Sequence, residues 1–261
     1  MSRILLVGDL HVKTFLLPFV DRAIEDTNPD RVIVLGDYLD DWGVSPAENF
    51  KALEKTINWA GRRGNTTLLV GNHDLAYLTR SGVCPGNAPS IQGQVHGLLV
   101  QHGSCISAAE ASENWLFTHA GLCSAWARQF IGEPQSAQEA ADKIDALLVK
   151  TEGCLYLETV GRGRGGWQNP SPLWADWYEL LRDYYPGFNQ VVGHSPLSTC
   201  TREPAESGEI LWCCDTFSTS SRGYRIGDGS VLLLNTNTDE ATIIELGDTA
   251  SLDAAYNEYL M

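Results

Sequence analysis

No apolar run in this 261-residue chain approaches the roughly 18 residues that a membrane-spanning helix needs. Met1-Ser2-Arg3 leads straight into a short strand-like run with no signal-peptide core, so the expectation is a soluble, cytoplasmic protein. The seven cysteines are odd in number, form no Cys-x-x-Cys pair, and include Cys213-Cys214 within an apolar run. That pattern argues against a disulfide framework, and the cysteines read as reduced core residues. Basic residues are scarce, 18 against 33 acidic ones, for a formal charge of −15. Duplex nucleic acid and anionic membranes both require a positive field, so neither is expected as a partner, and an anionic substrate must be attracted locally. Internal repeats and linker-like breaks are also missing, so residues 1–261 read as one domain.

What is present is a repeated strand exit. Val7-Gly8-Asp9-Leu10-His11, Leu35-Gly36-Asp37-Tyr38-Leu39-Asp40 and Val70-Gly71-Asn72-His73-Asp74 each end an apolar run with glycine and a metal-capable side chain. Short continuous apolar runs suit strands buried on both faces, and ligands of open α/β sheets bind beyond their carboxyl ends. Between the exits, Phe15–Glu25 has helical spacing. A second helix opens with Ser45, Pro46 and Glu48 as a capping box and buries Phe50, Leu53, Ile57 and Ala60. Strand, helix, strand, helix, strand predicts right-handed crossovers and a parallel half-sheet.

From Arg80 to Ser112 the pattern weakens, and Leu98-Leu99-Val100 alone looks like sheet. Trp115–Thr118 reads as a strand into His119, Ser136–Lys150 as a capped helix with Glu139 as reciprocal partner, and Leu173–Tyr184 as a Trp-rich helix. The last third reads as β-rich, with Val191-Val192 running into Gly193-His194 and strands at 211–214, 231–234 and 242–246.

Five exits thus supply Asp9, His11, Asp37, Asn72, His119 and His194. Carboxylate, imidazole and amide donors without thiolate suit Mn, Fe, Zn or Mg. Six donors exceed the needs of one tetrahedral ion, so two divalent ions sharing a bridging carboxylate are the natural count.

Gly-Asp-x-His, Gly-Asp-x-x-Asp, Gly-Asn-His-Asp, His-Ala-Gly-Leu and Gly-His-Ser-Pro, in this order from Gly8 to Pro196, resemble the calcineurin-like metallophosphoesterases. The likeness is greatest to the phosphoprotein phosphatase branch and its bacterial and phage relatives. The resemblance implies a four-layer α-β-β-α sandwich. It implies Asp9 and His11 on one ion, Asp37 bridging, and Asn72, His119 and His194 on the other, with manganese favoured. It also implies His73 as general acid oriented by Asp40, and phosphate-ester hydrolysis by a metal-bridging hydroxide.

Two positions depart from the family. Where its phosphatases continue the second motif with Arg-Gly, this chain has Asp41-Trp42, and a second basic position corresponds to Asp176. An anion near the phosphate should penalise a dianionic monoester by on the order of 1 kcal/mol or more. Either Arg162, Arg164, Arg222 or Arg225 replaces the missing cation, or the substrate is a less charged phosphodiester or a nucleotide stacked on Trp42 or Trp174. The expected substrate is therefore a phosphorylated small molecule, a nucleotide or a phosphoprotein. A diadenosine-polyphosphate-type nucleotide hydrolase, a phosphodiesterase and a catalytically silent metal-binding protein are the rival readings. The fifth motif has a single histidine, which leaves the first ion with fewer protein ligands.

Overall fold

The computed structural model describes residues 2–80, 84–149 and 151–260. Its first half alternates strand and helix as the sequence predicts: β1 (Arg3–Val7), α1 (Leu17–Thr27), β2 (Arg31–Val34), α2 (Pro46–Gly61), β3 (Thr66–Leu69) and α3 (Asn72–Thr79). After α4 (Gln92–Gln101) come β4 (Ile106–Ser107), β5 (Ala109–Ser112) and β6 (Trp115–Thr118). Helices α5 (Ser124–Phe130), α6 (Ala137–Leu148), α7 (Thr151–Leu157) and α8 (Trp177–Asp183) follow. The remainder runs β7 (Asn189–Val192), β8 (Thr201–Pro204), β9 (Ile210–Cys213), β10 (Ser218–Thr219), β11 (Arg225–Ile226), β12 (Ser230–Asn235), β13 (Glu240–Glu245) and α9 (Thr249–Tyr259).

Two sheets carry the architecture, one of six strands in the order β13-β12-β1-β2-β3-β4 and one of five in the order β5-β6-β7-β9-β8. Strands β1 to β4 are mutually parallel, as are β6, β7 and β9. Side chains alternate between faces along each strand, and here both faces are apolar. Ile4 and Leu6 of β1, Ile33 of β2, Trp115 and Phe117 of β6 and Val191 of β7 meet between the sheets. Leu5, Val7, Val32 and Val34 turn outward onto Val20, Leu53, Ile57, Val95 and Leu252 of four helices. Leu116, Val192 and Leu211 turn the other way, onto Trp126, Ile144 and Leu180. Helices therefore cover both outer faces, which is the four-layer α-β-β-α arrangement.

Helix α2 starts as its sequence dictates. Ser45 Oγ accepts from Glu48 N at 3.3 Å, and the Glu48 carboxylate accepts from Ser45 N at 3.0 Å. In α6, Ser136 caps Glu139 N at 3.1 Å, but the Glu139 carboxylate takes the N–H of Gln135 instead of Ser136. That helix ends at Leu148, and Lys150 lies outside the described residues.

Three expectations are corrected. Leu98-Leu99-Val100 lies in α4, which buries Val95 and Leu99 one turn apart. A three-residue apolar run does not separate helix from strand. The helix expected from Leu173 begins only at Trp177, because Asp176 acts as its N-cap and accepts from Tyr178 N at 3.0 Å. Helix α9, which the β-rich reading missed, opens at Asp248, whose carboxylate accepts from Ser251 N at 2.9 Å. All seven cysteines are free, five of them buried, with Cys105 and Cys154 half-buried.

Candidate active site

The five exits converge because both sheets present the carboxyl ends of parallel strands to the same edge. The turns that follow are backbone-strained. His11, Asp37, Asp40 and His194 have φ of 39°, 51°, 61° and 67°, a left-handed region that non-glycine residues occupy at a cost. Buried contacts hold them there. His11 N donates to Asp37 O at 2.7 Å, and the Asp74 carboxylate accepts from the N–H groups of Asp37, Tyr38 and Gly71 at 2.8–3.1 Å.

The exit glycines are needed chiefly for room. Gly36 has φ +111°, but a Cβ on Gly71 would lie 2.0 Å from Asp37 Oδ1, and one on Gly193 would lie 2.2 Å from Asp9 Oδ1. Gly71→Ala should therefore displace the Asp37 carboxylate. The expected result is a clear fall in divalent-metal content by elemental analysis, with the far-UV CD spectrum retained.

Around His119 the donor atoms face one another. Its Nε2 lies 3.0 Å from Asn72 Oδ1, 3.0 Å from His194 Nδ1 and 3.4 Å from Asp37 Oδ2. His119 Nδ1 donates to Leu35 O at 2.8 Å, which leaves Nε2 as the atom turned to the cluster, a lone-pair donor once a cation displaces its proton. Asn72 is held through Nδ2, which donates to Cys84 Sγ at 3.2 Å. Across Asp37, His11 Nδ1 donates to Asp40 O at 2.8 Å, so its Nε2 is free to face Asp37 Oδ2 at 3.6 Å and Asp9 Oδ2 at 3.8 Å. Asp9 in turn accepts from His194 N through both oxygens, at 3.0 and 3.1 Å. The ligand-capable atoms of Asp37, His119 and His194 lie within 4.8 Å of one another, as do those of His11, Asp37 and His73.

The titration pattern matches a place for cations. Burial pushes His11 down to about 4 and His194 well below the usual imidazole value. Burial also opposes charge on His119, but Asp37 and Asp9 outweigh it and lift His119 to about 9. Two facing imidazoles thus have room for one positive charge between them. Buried oxygen and nitrogen donors around a shared carboxylate, with no thiolate among them, fit hard or borderline divalent ions.

His73 has a different environment. Its Nδ1 lies 3.0 Å from Asp40 Oδ2, and its backbone N–H donates to Asp37 Oδ1 at 3.0 Å. Asp40 cannot swing away, because its other oxygen accepts from Asn49 Nδ2 at 2.7 Å and Tyr77 OH at 2.8 Å. Burial opposes charge on His73, yet the field of Asp37 and the Asp40 hydrogen bond raise it well above the usual imidazole value. An imidazolium held this way is equipped to give up a proton.

A cavity of about 570 Å³ opens over these groups. Arg164 lines it together with Trp42 and Trp174, and its Nη2 donates to His194 O at 3.0 Å and Ser195 Oγ at 2.9 Å. Arg162, Arg222 and Arg225 do not line it, and Arg225 is paired with Asp253 at 2.8 Å. Trp174 and Trp177 are buried, while Trp167 is exposed.

Asp41 differs from expectation. Its Oδ2 lies 2.9 Å from Lys13 Nζ and accepts from Tyr259 OH at 2.9 Å and Thr219 Oγ1 at 3.0 Å. Both side chains of the ion pair are buried, so the carboxylate is compensated and the predicted repulsion of a dianionic phosphate largely disappears. Sequence reading missed Lys13 altogether, since a lone lysine after a strand exit has no motif. Asp215 was also missed, although it follows the apolar run of β9, because Cys214 and not glycine precedes it. Asp41→Asn leaves the Lys13 ammonium without its counter-charge and should cost about 3 kcal/mol, read as a lowered urea midpoint.

Two sheets sandwiched by helices, with carboxylates, imidazoles and an amide gathered at their strand ends, define a metal-dependent hydrolase. The chain belongs to the calcineurin-like phosphoesterases, whose family model matches residues 2–218, and it is a phosphoester-hydrolysing enzyme. The solved cold-active protein-tyrosine phosphatase of the psychrophile Shewanella sp. is similar in fold. It has a TM-score of 0.57 and 15% identity, over 93% of this chain and 80% of that one. Another structure of a cold-active protein tyrosine phosphatase gives a TM-score of 0.56 at 16% identity, over 93% and 78% of the two chains. At such identity the likeness is one of fold alone. A search of curated proteins finds no match. Among the described residues, no helix is long and apolar enough to cross a membrane.

Proposed function

We propose that this chain is a dinuclear phosphomonoesterase of the phosphoprotein-phosphatase kind, acting as one unit over residues 1–261. Asp9, His11 and Asp37 would hold one divalent cation, and Asp37, Asn72, His119 and His194 would hold the other, with manganese as the favoured ion. The observation that carries this reading is the position of Asp37 Oδ2, 3.6 Å from His11 Nε2 and 3.4 Å from His119 Nε2. Cations bound there supply a water activated at neutral pH and positive charge for the phosphoryl oxygens.

The remaining work falls to the chain. His73, kept protonated and aimed by Asp40, gives its proton to the departing oxygen. Arg164 is the arginine at the cavity and takes the place of the missing phosphate-binding residue, its donors fixed by His194 O and Ser195 Oγ. With Asp41 balanced by Lys13, a dianionic monoester meets Arg164, whose Nε lies 3.4 Å from Asp176 Oδ2, without the repulsion that a bare Asp41 would exert. The buried pairing of His73 with Asp40 also speaks against a silent binding protein, which has no use for a proton donor. Trp42, 61% exposed at the cavity, favours an aromatic group on the substrate. The tyrosine phosphatase that shares the fold makes an aryl phosphate a reasonable first choice. Seven free thiols accord with a reducing, cytoplasmic setting.

With Mn2+ present, para-nitrophenyl phosphate should be hydrolysed faster than bis-para-nitrophenyl phosphate, and EDTA should abolish both activities. A faster diester reaction would return the substrate to the phosphodiester or nucleotide class, and no reaction with either would defeat the enzyme reading. His73→Ala should lower kcat by about 10²–10⁴-fold with metal content unchanged. Asp37→Ala, in contrast, should strip metal from the protein.

A further inference from the structure

The two donor groups about Asp37 are unequal. Asn72, His119 and His194 complete one side, whereas the ligands proposed for the other are Asp9 and His11, since the adjacent His73 is engaged by Asp40 as a proton donor. Directly behind Asp9 runs the exit of β9. A Cβ on Gly8 would lie 2.0 Å from Cys214 O and 3.1 Å from Asp215 Cα, so the two exits are in contact. Asp215 is 1% exposed and lines the same cavity as His11 and Asp37. Its Oδ1 accepts from Ser218 Oγ at 2.8 Å. Its Oδ2 is buried with no hydrogen-bond partner among the described residues. Lys13 Nζ, the buried ammonium nearby among the described residues, forms its ion pair with Asp41 and reaches Asp215 only through its field.

A buried carboxylate with one oxygen tethered and the other unmatched is costly unless a cation faces it. We propose that Asp215 is a further residue of the cation site, providing charge and a hydrogen-bond acceptor on the side of Asp9 and His11 that has fewer ligands. It acts from outside the direct ligand set, seated behind the Gly8-Asp9 exit with one oxygen tethered to Ser218. Carboxylates in such outer positions fix the orientation and the electrostatics of the inner ligands, and removing them ordinarily costs about 10–100-fold in metal affinity. The inference rests on the dinuclear reading above.

Asp215→Asn keeps the shape and the acceptor for Ser218 while deleting the charge. Mn2+ binding to the metal-free full-length protein, followed by equilibrium dialysis with elemental analysis, should show one of two ions weakened about 10–100-fold and the other unchanged. The melting temperature of the metal-free variant should equal or exceed that of the wild type, because an unmatched buried charge has gone. The rise in melting temperature on adding Mn2+ should be smaller. Asp215→Ala should show the same selective loss of Mn2+. Unchanged Mn2+ affinity at both sites in Asp215→Asn overturns this inference alone, and a lower metal-free melting temperature with unchanged Mn2+ binding assigns Asp215 a purely structural role. Failure of the wild type to bind Mn2+ overturns the dinuclear reading and this inference with it.

Discussion

The rest of the site depends on one buried carboxylate being shared. Asp37 is 2% exposed, and its side chain is within reach of His11 on one side and His119 on the other. An oxygen in that position loses most of its hydration and must recover the difference from positive charge. In the protein alone that charge comes from protons on His119 and His73, which outweigh burial and hold Asp37 well below the usual carboxylate range. A divalent cation held beside it would supply that charge more completely. The left-handed turn at Asp37, the N–H donors gathered by Asp74 and the missing Cβ at Gly71 all keep this single carboxylate in place.

The global charge of −15 and the local chemistry are therefore separate matters. At the cavity, negative charge is either matched or reserved. Lys13 matches Asp41, and His73 matches Asp40, while Asp9, Asp37 and Asp215 crowd together beside the candidate metal-ligand residues. Burial raises Asp9 well above its usual value, with Asp215 as a second contributor, so the metal-free protein carries mutual repulsion that bound cations relieve. Arg164 brings a positive group to this cavity, and the acidic outer surface is screened at distances beyond about 8–10 Å.

Much of this was legible in the chain, for a physical reason. A strand buried on both faces must be apolar throughout, so the glycine and metal-capable residue that end it stand out; β1, β2, β3 and β7 announced themselves this way, and β6 did so through His119 with no glycine before it. The same rule misled or fell silent where the local signal was weak. Leu98-Leu99-Val100 is too short to show a period, and its helical identity comes from packing of Val95 and Leu99 on the outer face of the sheet. Asp215 ends a buried strand as faithfully as Asp9 does, but it lacks the glycine. Lys13 and Asp41 form a pair across 28 residues, and neither residue implies the other. The charge argument built on Asp41 left out this pairing: identity at a position is written in the sequence, whereas compensation of its charge is a property of the fold.

Asp41 also accepts from Tyr259 in the last turn of α9, a helix seated through Phe15 and Phe217. That hydrogen bond joins the far end of the chain to the rim of the cavity. Lifting α9 would take a donor from Asp41 and disturb the backbone of Trp42, whose N–H is bound to the same carboxylate. The docking of the C-terminal helix and the shape of the substrate entrance are thus two readings of one equilibrium.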